Sequence, residues 1–222
     1  MGKLTDSLLS GSSGRVGRLV IANVAGTEIV RVRPKKRSTS ASEAQILVQN
    51  RMKKTYQFIV PYKAYALQYF GTPLGMRSRY NQAITAILNA YKIDFQALTM
   101  TLEYSEIEFS RGNLLGAIPT GLTAPAPLSI KLDWINNAGM APERAMDDLQ
   151  FLMIAEGDDI PIFLESVTTR DQETWTQSVP PHYQGKTVHV WMAFRSTDLK
   201  EVSVSSGKWS TFLTVCKYSF FN

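Results

Sequence analysis

The first forty residues alternate between glycine and apolar segments. Two short runs, Leu19–Val24 and Thr27–Val32, are separated only by Ala25 and Gly26. Short apolar or alternating runs that are joined by a glycine-containing turn are typical of a β-hairpin. The pattern therefore predicts a hairpin that turns at Ala25 and Gly26.

The hydrophobic period changes after residue 40. Ser40 is followed three residues later by Glu43, which is the spacing of a capping box and predicts that a helix starts here. Apolar residues then recur at intervals of three and four: Ala44, Val48, Met52, Tyr56, Ile59 and Val60. This spacing predicts a helix that buries this stripe and is broken or kinked at Pro61.

The helical pattern continues to about residue 91. An aromatic segment over residues 62–70 predicts a second helix, which stops at Gly71-Thr72-Pro73. A third stripe keeps helical spacing: Tyr80, Ala83, Ile84, Ile87, Leu88 and Tyr91. Residues 102–109 then alternate with period two and predict a half-buried strand. Two or three helices and a closing strand are therefore expected over residues 41–115.

Residues 116–127 are rich in Gly, Pro, Thr and Ala, which predicts a linker. Short strands separated by turn residues are then predicted at 128–135, 149–155, 160–166, 173–178, 187–194 and 208–215. Trp134 and Trp191 alternate with polar neighbours, as inward residues on facing sheets would. The predicted fold class is α+β: an N-terminal β-hairpin and two or three helices, followed by an immunoglobulin-like β-sandwich. Its segments are 1–40, 41–115 and 128–222.

Charge is distributed unevenly along the 222 residues, whose net charge is +5. Residues 1–98 contain 15 Lys and Arg against 4 Asp and Glu, net +11, and residues 99–222 contain 9 against 15, net −6. A basic half suits an acidic partner, either nucleic acid or the acidic half of a neighbouring copy. Two separately solvated surfaces are the alternative.

The densest run of cations follows the predicted hairpin. Its candidate partner-binding residues are Arg31, Arg33, Lys35, Lys36 and Arg37. Pro34 favours an extended path, so the segment is expected to be an arm. Such an arm can neutralise phosphates, but no aromatic residue between the cations offers a stacking surface for bases. A grip on an acidic protein neighbour is the preferred interpretation, with nucleic-acid binding and a solvated linker as alternatives.

Residues that could support catalysis are sparse. The glycine-rich stretch 11–17 lacks the Gly-Lys-Ser/Thr ending of a phosphate loop and precedes a predicted strand, not a helix. His182 and His189 are seven residues apart, which would place them on opposite faces of an extended segment, so no shared metal site is predicted. Cys216 is the single cysteine, so no internal disulfide is expected. No catalytic residue, cofactor or metal site is predicted.

Acidic pairs and apolar runs add no further site. Asp147-Asp148 and Asp158-Asp159 lack the alternating oxygen ligands of a calcium loop. No secretion signal follows Met1, and no apolar run approaches the roughly 20 residues of a membrane span. We therefore expect neither a secreted nor a membrane-spanning chain.

The C-terminal pattern resembles a fibronectin type III or immunoglobulin-like module. The residues that carry this resemblance are 130–134, 183–191 and 201–203. The whole chain, including residues 11–17 and 32–36, resembles an uncharacterised family that is common in Bacteroidota and their phages. The resemblance implies a glycine-rich hairpin, a basic arm, a helical pair and a C-terminal sandwich, and it brings no known catalytic residues.

These observations favour a non-enzymatic structural or assembly protein of a tailed-phage virion, of the ring, tail or head-tail connector type. We expect a homo-oligomer whose oppositely charged halves meet, in contact with other virion proteins. Its expected location is the virion, assembled in the bacterial cytoplasm, or else the bacterial cytoplasm itself. The first alternative is nucleic-acid binding through the basic arm. The second is a glycan- or surface-binding adhesion module that uses Tyr183, Trp175 and Trp209.

Overall fold

The computed structural model describes residues 2–24, 26–35, 40–75 and 77–212, with helices and strands throughout. The strands, in chain order, are β1 (Gly2–Lys3), β2 (Gly14–Val16), β3 (Leu19–Val24), β4 (Thr27–Val32), β5 (Tyr91–Asp94), β6 (Thr99–Leu102), β7 (Ile118–Ala126), β8 (Ser129–Ile135), β9 (Asp148–Ala155), β10 (Ile162–Leu164), β11 (Thr174–Ser178), β12 (Thr187–Arg195) and β13 (Ser206–Phe212). The α-helices are α1 (Glu43–Ile59), α2 (Lys63–Tyr69), α3 (Arg79–Ala90) and α4 (Pro142–Ala145). The protein therefore mixes helices with antiparallel sheets, as an α+β fold does.

The predicted hairpin is confirmed as β3 and β4. These strands are antiparallel, and Val24 lies opposite Thr27 across the turn. The hairpin forms the centre of a four-stranded sheet in the order β1-β4-β3-β2. The glycine-rich stretch leads into β3 as expected, and it also supplies β2, which was not predicted.

Helix α1 begins two residues later than the capping-box prediction implies. Ser42 is the N-cap, its hydroxyl accepts a hydrogen bond from the Gln45 amide, and the Gln45 side chain bonds back to the Ser42 amide. The prediction that Ser40 and Glu43 form the box is wrong. Ser40 is followed three residues later by Glu43, and Ser42 by Gln45, so both pairs have the spacing of a capping box. The helix uses the second pair.

The predicted buried stripe of α1 is wrong for most of its residues. Ile59 is buried as predicted, but Val48, Met52, Tyr56 and Val60 are exposed. Thr55 and Phe58, which lie outside the predicted stripe, are buried instead. Thr55 is accommodated because its hydroxyl donates to the Arg51 carbonyl, 2.9 Å away. Helix α1 carries apolar residues on two sides, so periodicity by itself does not identify the face that packs inward.

Helices α2 and α3 follow their predictions closely, whereas the short helix α4 was not predicted. The first helix ends before Pro61, and a 3-10 turn at Val60–Tyr62 connects it to α2. Helix α3 buries Ala83, Ile84 and Ile87. The Arg51 guanidinium donates to the Leu88 carbonyl at 2.6 Å, which ties α1 to the end of α3.

Two antiparallel sheets form the sandwich. Their strand orders are β10-β9-β12-β13 and β11-β8-β7. Side chains of both sheets share one buried cluster, which includes Trp134, Phe151 and Phe194. Strand β7 lies in the segment that was predicted to be a linker, so that prediction is wrong; Pro and Gly occur in β7 because it is irregular, with two shifts of register against β8.

The sheet that contains β9 and β12 is buried on both faces. On one face Phe151 and Phe194 meet the other sheet, and on the opposite face Leu152 and Trp191 join the core formed by the helices. Trp191 therefore does not face Trp134 across the sandwich, which corrects the prediction. The result is three layers: helices, a central sheet and an outer sheet.

Residues 102–109 do not form the single strand that was predicted. Strand β6 ends at Leu102, and a 3-10 turn follows at Tyr104–Glu106. Ile107 and Phe109 are nevertheless buried, so the apolar positions were informative although the backbone assignment was wrong. The other predicted strands are confirmed as β8 to β13, except that residues 213–215 of the last one lie outside the described part of the chain, as does Cys216.

Candidate functional site: a basic surface on the N-terminal sheet

Cations converge on one end of the N-terminal sheet. Arg15 on β2 and Arg31 on β4 both lie level with Val20 on the central strand β3. Residues that are level across adjacent strands point to the same face, so both arginines flank Val20 on one face, about 10 Å apart at their backbones. The hairpin register therefore brings together two cations that are 16 positions apart in sequence.

A groove of about 520 Å³ continues this basic end beyond the strands. The amide of Arg33 donates to the carbonyl of Arg18 at 2.8 Å, which holds the chain after β4 beside the β2–β3 turn. The groove is lined by Arg15, Gly17, Arg18, Val32, Arg33, Pro34 and Lys35. We call Arg15, Arg18, Arg31, Arg33 and Lys35 the basic sheet surface.

Three of the five residues predicted from sequence belong to this surface. Arg33 and Lys35 line the groove, and Arg31 lies on the adjoining row of the sheet. Lys36 and Arg37 lie outside the described residues. Arg15 and Arg18 were missed, although the glycine between them, Gly17, was a turn signal that could have placed them beside the hairpin.

An apolar stripe accompanies the basic sheet surface. Val16, Leu19 and Val32 are level with one another across β2, β3 and β4. Their exposed fractions are 55%, 36% and 67%. Each of them is next in sequence to a residue of the row that contains Arg15 and Arg31, so the stripe lies on the opposite face of the sheet from the two arginines. Val32 also lines the groove at the end of the sheet, where it is the apolar side chain among the cations. The groove therefore combines an apolar centre with a charged rim, as protein-binding surfaces do.

The acidic residue of the hairpin is held away from this end. Glu28, which lies four residues before Val32 along β4, accepts hydrogen bonds from the Ser10 hydroxyl at 2.9 Å and the Gly11 amide at 2.6 Å. These bonds fasten the loop between β1 and β2. The Glu28 carboxylate is therefore hydrogen-bonded within the N-terminal sheet, and Glu28 lies roughly 13 Å along β4 from Val32.

The N-terminal sheet packs mainly on itself. Within the described part of the chain, β1 to β4 contact one another, and none of them makes an extensive contact with the helices or the sandwich. Ile21 is the one buried apolar residue among the described positions of this sheet. The basic sheet surface is consequently available to something other than its own chain.

The acidic pairs noted in the sequence are engaged with cations. Asp147 pairs with Arg170 at 3.0 Å and Asp148 with Arg195 at 3.2 Å. In the other pair, the Asp158 and Asp159 carboxylates each meet a lysine, Lys186 and Lys54 respectively. Among the described residues, no group of three or more His, Cys, Asp or Glu side chains is arranged to hold a metal ion.

Two of the aromatic residues proposed as a glycan platform are packed inward. Tyr183 is buried, and Trp175 packs edge-on against Phe151 at a centroid distance of 4.9 Å. The side chain of Trp209 lies outside what the structure describes. Tyr183 and Trp175 therefore do not form an exposed stacking surface, and this part of the prediction is wrong.

Comparison with known families covers both the basic sheet surface and the sandwich. The profile described as "Family of unknown function (DUF6266)" matches residues 11–207. The chain belongs to the DUF6266 family. The match begins in the glycine-rich stretch and ends in β13, so it includes β2, β3 and β4 of the N-terminal sheet, the helices and the sandwich.

Other comparisons add less. The fn3 domain of human contactin 1 is similar to 51% of this chain over 88% of its own length, with 8% identity and a TM-score of 0.36. The sandwich is defined by its own strand pairing. No curated protein gives a significant match. Among the described residues, no helix is long and apolar enough to cross a membrane.

Proposed function

We propose that this DUF6266 protein is a non-enzymatic assembly protein in which the basic sheet surface of one copy docks on an acidic surface of the next. The observation that supports this most is the groove in which Arg15, Arg18, Arg33 and Lys35 surround Val32. It lies on a sheet that makes no extensive contact with the other described elements of its own chain. Apolar residues in the centre supply affinity, while a charged rim steers and orients the partner.

The acceptor in this proposal is the acidic half of a neighbouring copy. Residues 99–222 carry a net charge of −6, against +11 for residues 1–98. Contact between two different surfaces of the same chain is heterologous, and it generates rings or filaments. On the resemblance described above, we expect this assembly to belong to a tailed-phage virion and to form in the bacterial cytoplasm.

The first experiment measures the mass of the full chain by size-exclusion chromatography with light scattering. We expect large species at about 0.01 M salt, where the Debye length is roughly 30 Å, and smaller ones at about 1 M, where it is roughly 3 Å. The double variant Arg15→Glu/Arg33→Glu should be monomeric at low salt. Lys200→Glu, which makes the same kind of change on an exposed loop residue of the sandwich, should still assemble. A wild-type chain that is strictly monomeric at low salt would contradict the proposal.

A mixing experiment distinguishes a heterologous contact from a symmetric one. The double variant lacks the docking surface but keeps the acidic acceptor, so it can occupy one end of a growing assembly. Added to wild type, it should shorten the assemblies in proportion to its fraction. If the variant leaves assembly size unchanged, the two contacting surfaces are not different, and the head-to-tail arrangement is wrong.

Nucleic acid is the second candidate partner, because the groove is lined by four cations, Arg15, Arg18, Arg33 and Lys35, and by no acidic residue. Fluorescence anisotropy with duplex DNA would show binding that weakens steeply with salt, since each neutralised phosphate releases counterions. The same double variant should abolish it. DNA binding without any self-assembly would favour this function over the first.

The virion assignment has its own test. Genes that encode portal, capsid or tail proteins next to the gene for this chain would support it. A consistent neighbourhood of metabolic genes would contradict the virion assignment while leaving the docking proposal untouched.

A further inference from the structure

Helix α1 and its C-cap residue, Val60, expose a ridge of apolar side chains. Val48, Met52, Tyr56 and Val60 are 48%, 40%, 43% and 64% exposed, and each lies four residues from the next. We call these four residues the α1 ridge. Side chains four apart on a helix form the ridges that pack into the grooves of another helix.

The length of the ridge suits a short helix. From Val48 to Val60 the helical rise is about 18 Å at 1.5 Å per residue. This is about three helical turns. Beyond the break at Pro61, Leu67 on α2 is a further apolar side chain that is 50% exposed.

Two exposed cations accompany the α1 ridge. Lys53 is exposed next to the ridge, and the Lys63 ammonium lies 5.6 Å from the centre of the Tyr80 ring. Lys54 on the same helix is paired with Asp159 at 2.7 Å, and the segment between Glu43 and Asp94 supplies no Asp or Glu of its own. Lys53 and Lys63 favour a partner with acidic flanks.

Two other occupants fit less well. A second copy of α1 and α2 would bring Lys53 and Lys63 against the same cations, and Glu43 in the first turn of α1 is the one acidic residue of these two helices. A lipid surface favours a wide apolar face, whereas Gln49 projects from the same side of α1 as the ridge, which is a single row of half-exposed side chains. A narrow apolar row suits the groove of a helix.

We propose that the α1 ridge is the docking site for an acidic amphipathic helix of a partner protein. This interaction is separate from the assembly contact, since it uses a different layer of the molecule. The apolar residues of the partner would lie along Met52 and Tyr56, and its Asp and Glu residues would face Lys53 and Lys63. The protein would thereby join its own assembly to a second component.

The test uses designed peptides and the full-length chain. The probe is a helical 18-residue peptide, about five turns long, with leucines at intervals of three and four and glutamates on the flanks. One control peptide carries lysine in place of every glutamate, and another has the acidic sequence scrambled. In fluorescence anisotropy, the Kd of the acidic amphipathic peptide should be at least about tenfold lower than the Kd of either control peptide.

Variants localise the binding. Met52→Gln and Tyr56→Gln should each weaken it by about tenfold. Ile46→Gln is the matched control: Ile46 is 46% exposed on the same helix but off the ridge, so binding should persist. Circular dichroism verifies that each variant keeps its helix content. Arg15→Glu/Arg33→Glu should bind the peptide normally, which separates this proposal from the assembly contact.

Several results would overturn the proposal. Equal affinity for the acidic and scrambled peptides would show that binding does not require an amphipathic helix. Unchanged binding in Met52→Gln would show that the α1 ridge is not the binding site. Absence of peptide binding together with flotation on phosphatidylserine vesicles would assign the surface to a membrane instead. Binding that is lost equally in Ile46→Gln would show that the effect is not specific to the ridge.

Discussion

The imidazole ring of His189 stacks on the phenol ring of Tyr104, with centroids 3.7 Å apart and planes 11° from parallel. The contact joins the central sheet to the 3-10 turn that follows β6. Burial lowers the pKa of His189, and the Glu156 carboxylate acts weakly in the opposite direction. Its Nε2 atom is buried without a hydrogen-bond partner among the described residues, so a proton there would create an unpaired buried charge.

The protein should therefore lose stability as the pH falls below neutrality. Because the pKa of His189 is lower in the folded state, the unfolded chain binds more protons below about pH 6.5, and stability present above that pH is lost as the pH falls through the folded pKa. Urea unfolding between about pH 7.5 and 5 measures the free energy of unfolding as a function of pH. In His189→Gln this free energy should fall less with decreasing pH than in the wild type. His182→Gln is the control, since His182 is 64% exposed, and it should keep the wild-type profile. An unchanged slope in His189→Gln would contradict the assignment.

A buried ion pair between Arg170 and Asp147 supports the outer end of the sandwich. The two side chains are 0% and 3% exposed, and the guanidinium also donates to the Leu115 carbonyl at 2.9 Å and lies 3.9 Å from the Phe194 ring centre. Burial lowers the pKa of Arg170 and raises that of Asp147, while the ion pair opposes both effects.

Removal of one partner should be more damaging than removal of both. Arg170→Ala leaves Asp147 buried without its cation and should cost about 3–5 kcal/mol in urea unfolding. The double variant Arg170→Met/Asp147→Leu replaces the pair by apolar groups and should be the more stable of the two. A double variant that is less stable than Arg170→Ala would show that the pair is not the dominant contribution.

Gly112 is required by a close approach of two backbones. A Cβ atom at this position would lie 2.1 Å from the Val202 carbonyl oxygen, next to the bond that this oxygen accepts from the Leu114 amide at 3.0 Å. Gly112→Ala should destabilise the fold by about 1–3 kcal/mol. Gly116→Ala is the matched control because its Cβ would meet nothing within 4 Å, and it should change stability by less than about 0.5 kcal/mol. Thermal unfolding of the two variants compares them directly.

Two neighbouring serines compete for the N-cap of α1, and the structure selects one. Ser42→Ala removes the bond to the Gln45 amide and should cost about 1 kcal/mol. Ser40→Ala should cost less than about 0.5 kcal/mol, because Ser40 lies before the cap. Equal losses in the two variants, measured by urea unfolding, would show that the capping box does not start at Ser42.

The local pattern predicted most elements of this fold. Strands β3 and β4, helices α2 and α3 and the strands of the sandwich other than β7 follow from local patterns with periods of two and 3.6, because these periods are properties of the backbone itself. The basic arm was also predicted, since Arg31, Arg33 and Lys35 are adjacent in sequence. Arg15 and Arg18 were not, because only strand pairing brings them beside Arg33.

Tertiary structure decided which surfaces are buried. Helix α1 has apolar residues on two sides, and the side with Phe58 and Ile59 packs inward because the central sheet offers Leu152 and Trp191 to it. The near-continuous apolar runs of β9 and β12 were a signal that this sheet is covered on both faces. The sequence by itself determined the elements and the charge of each half; long-range packing decided which apolar face of α1 stays exposed, because burial depends on the partner surface and not on the period.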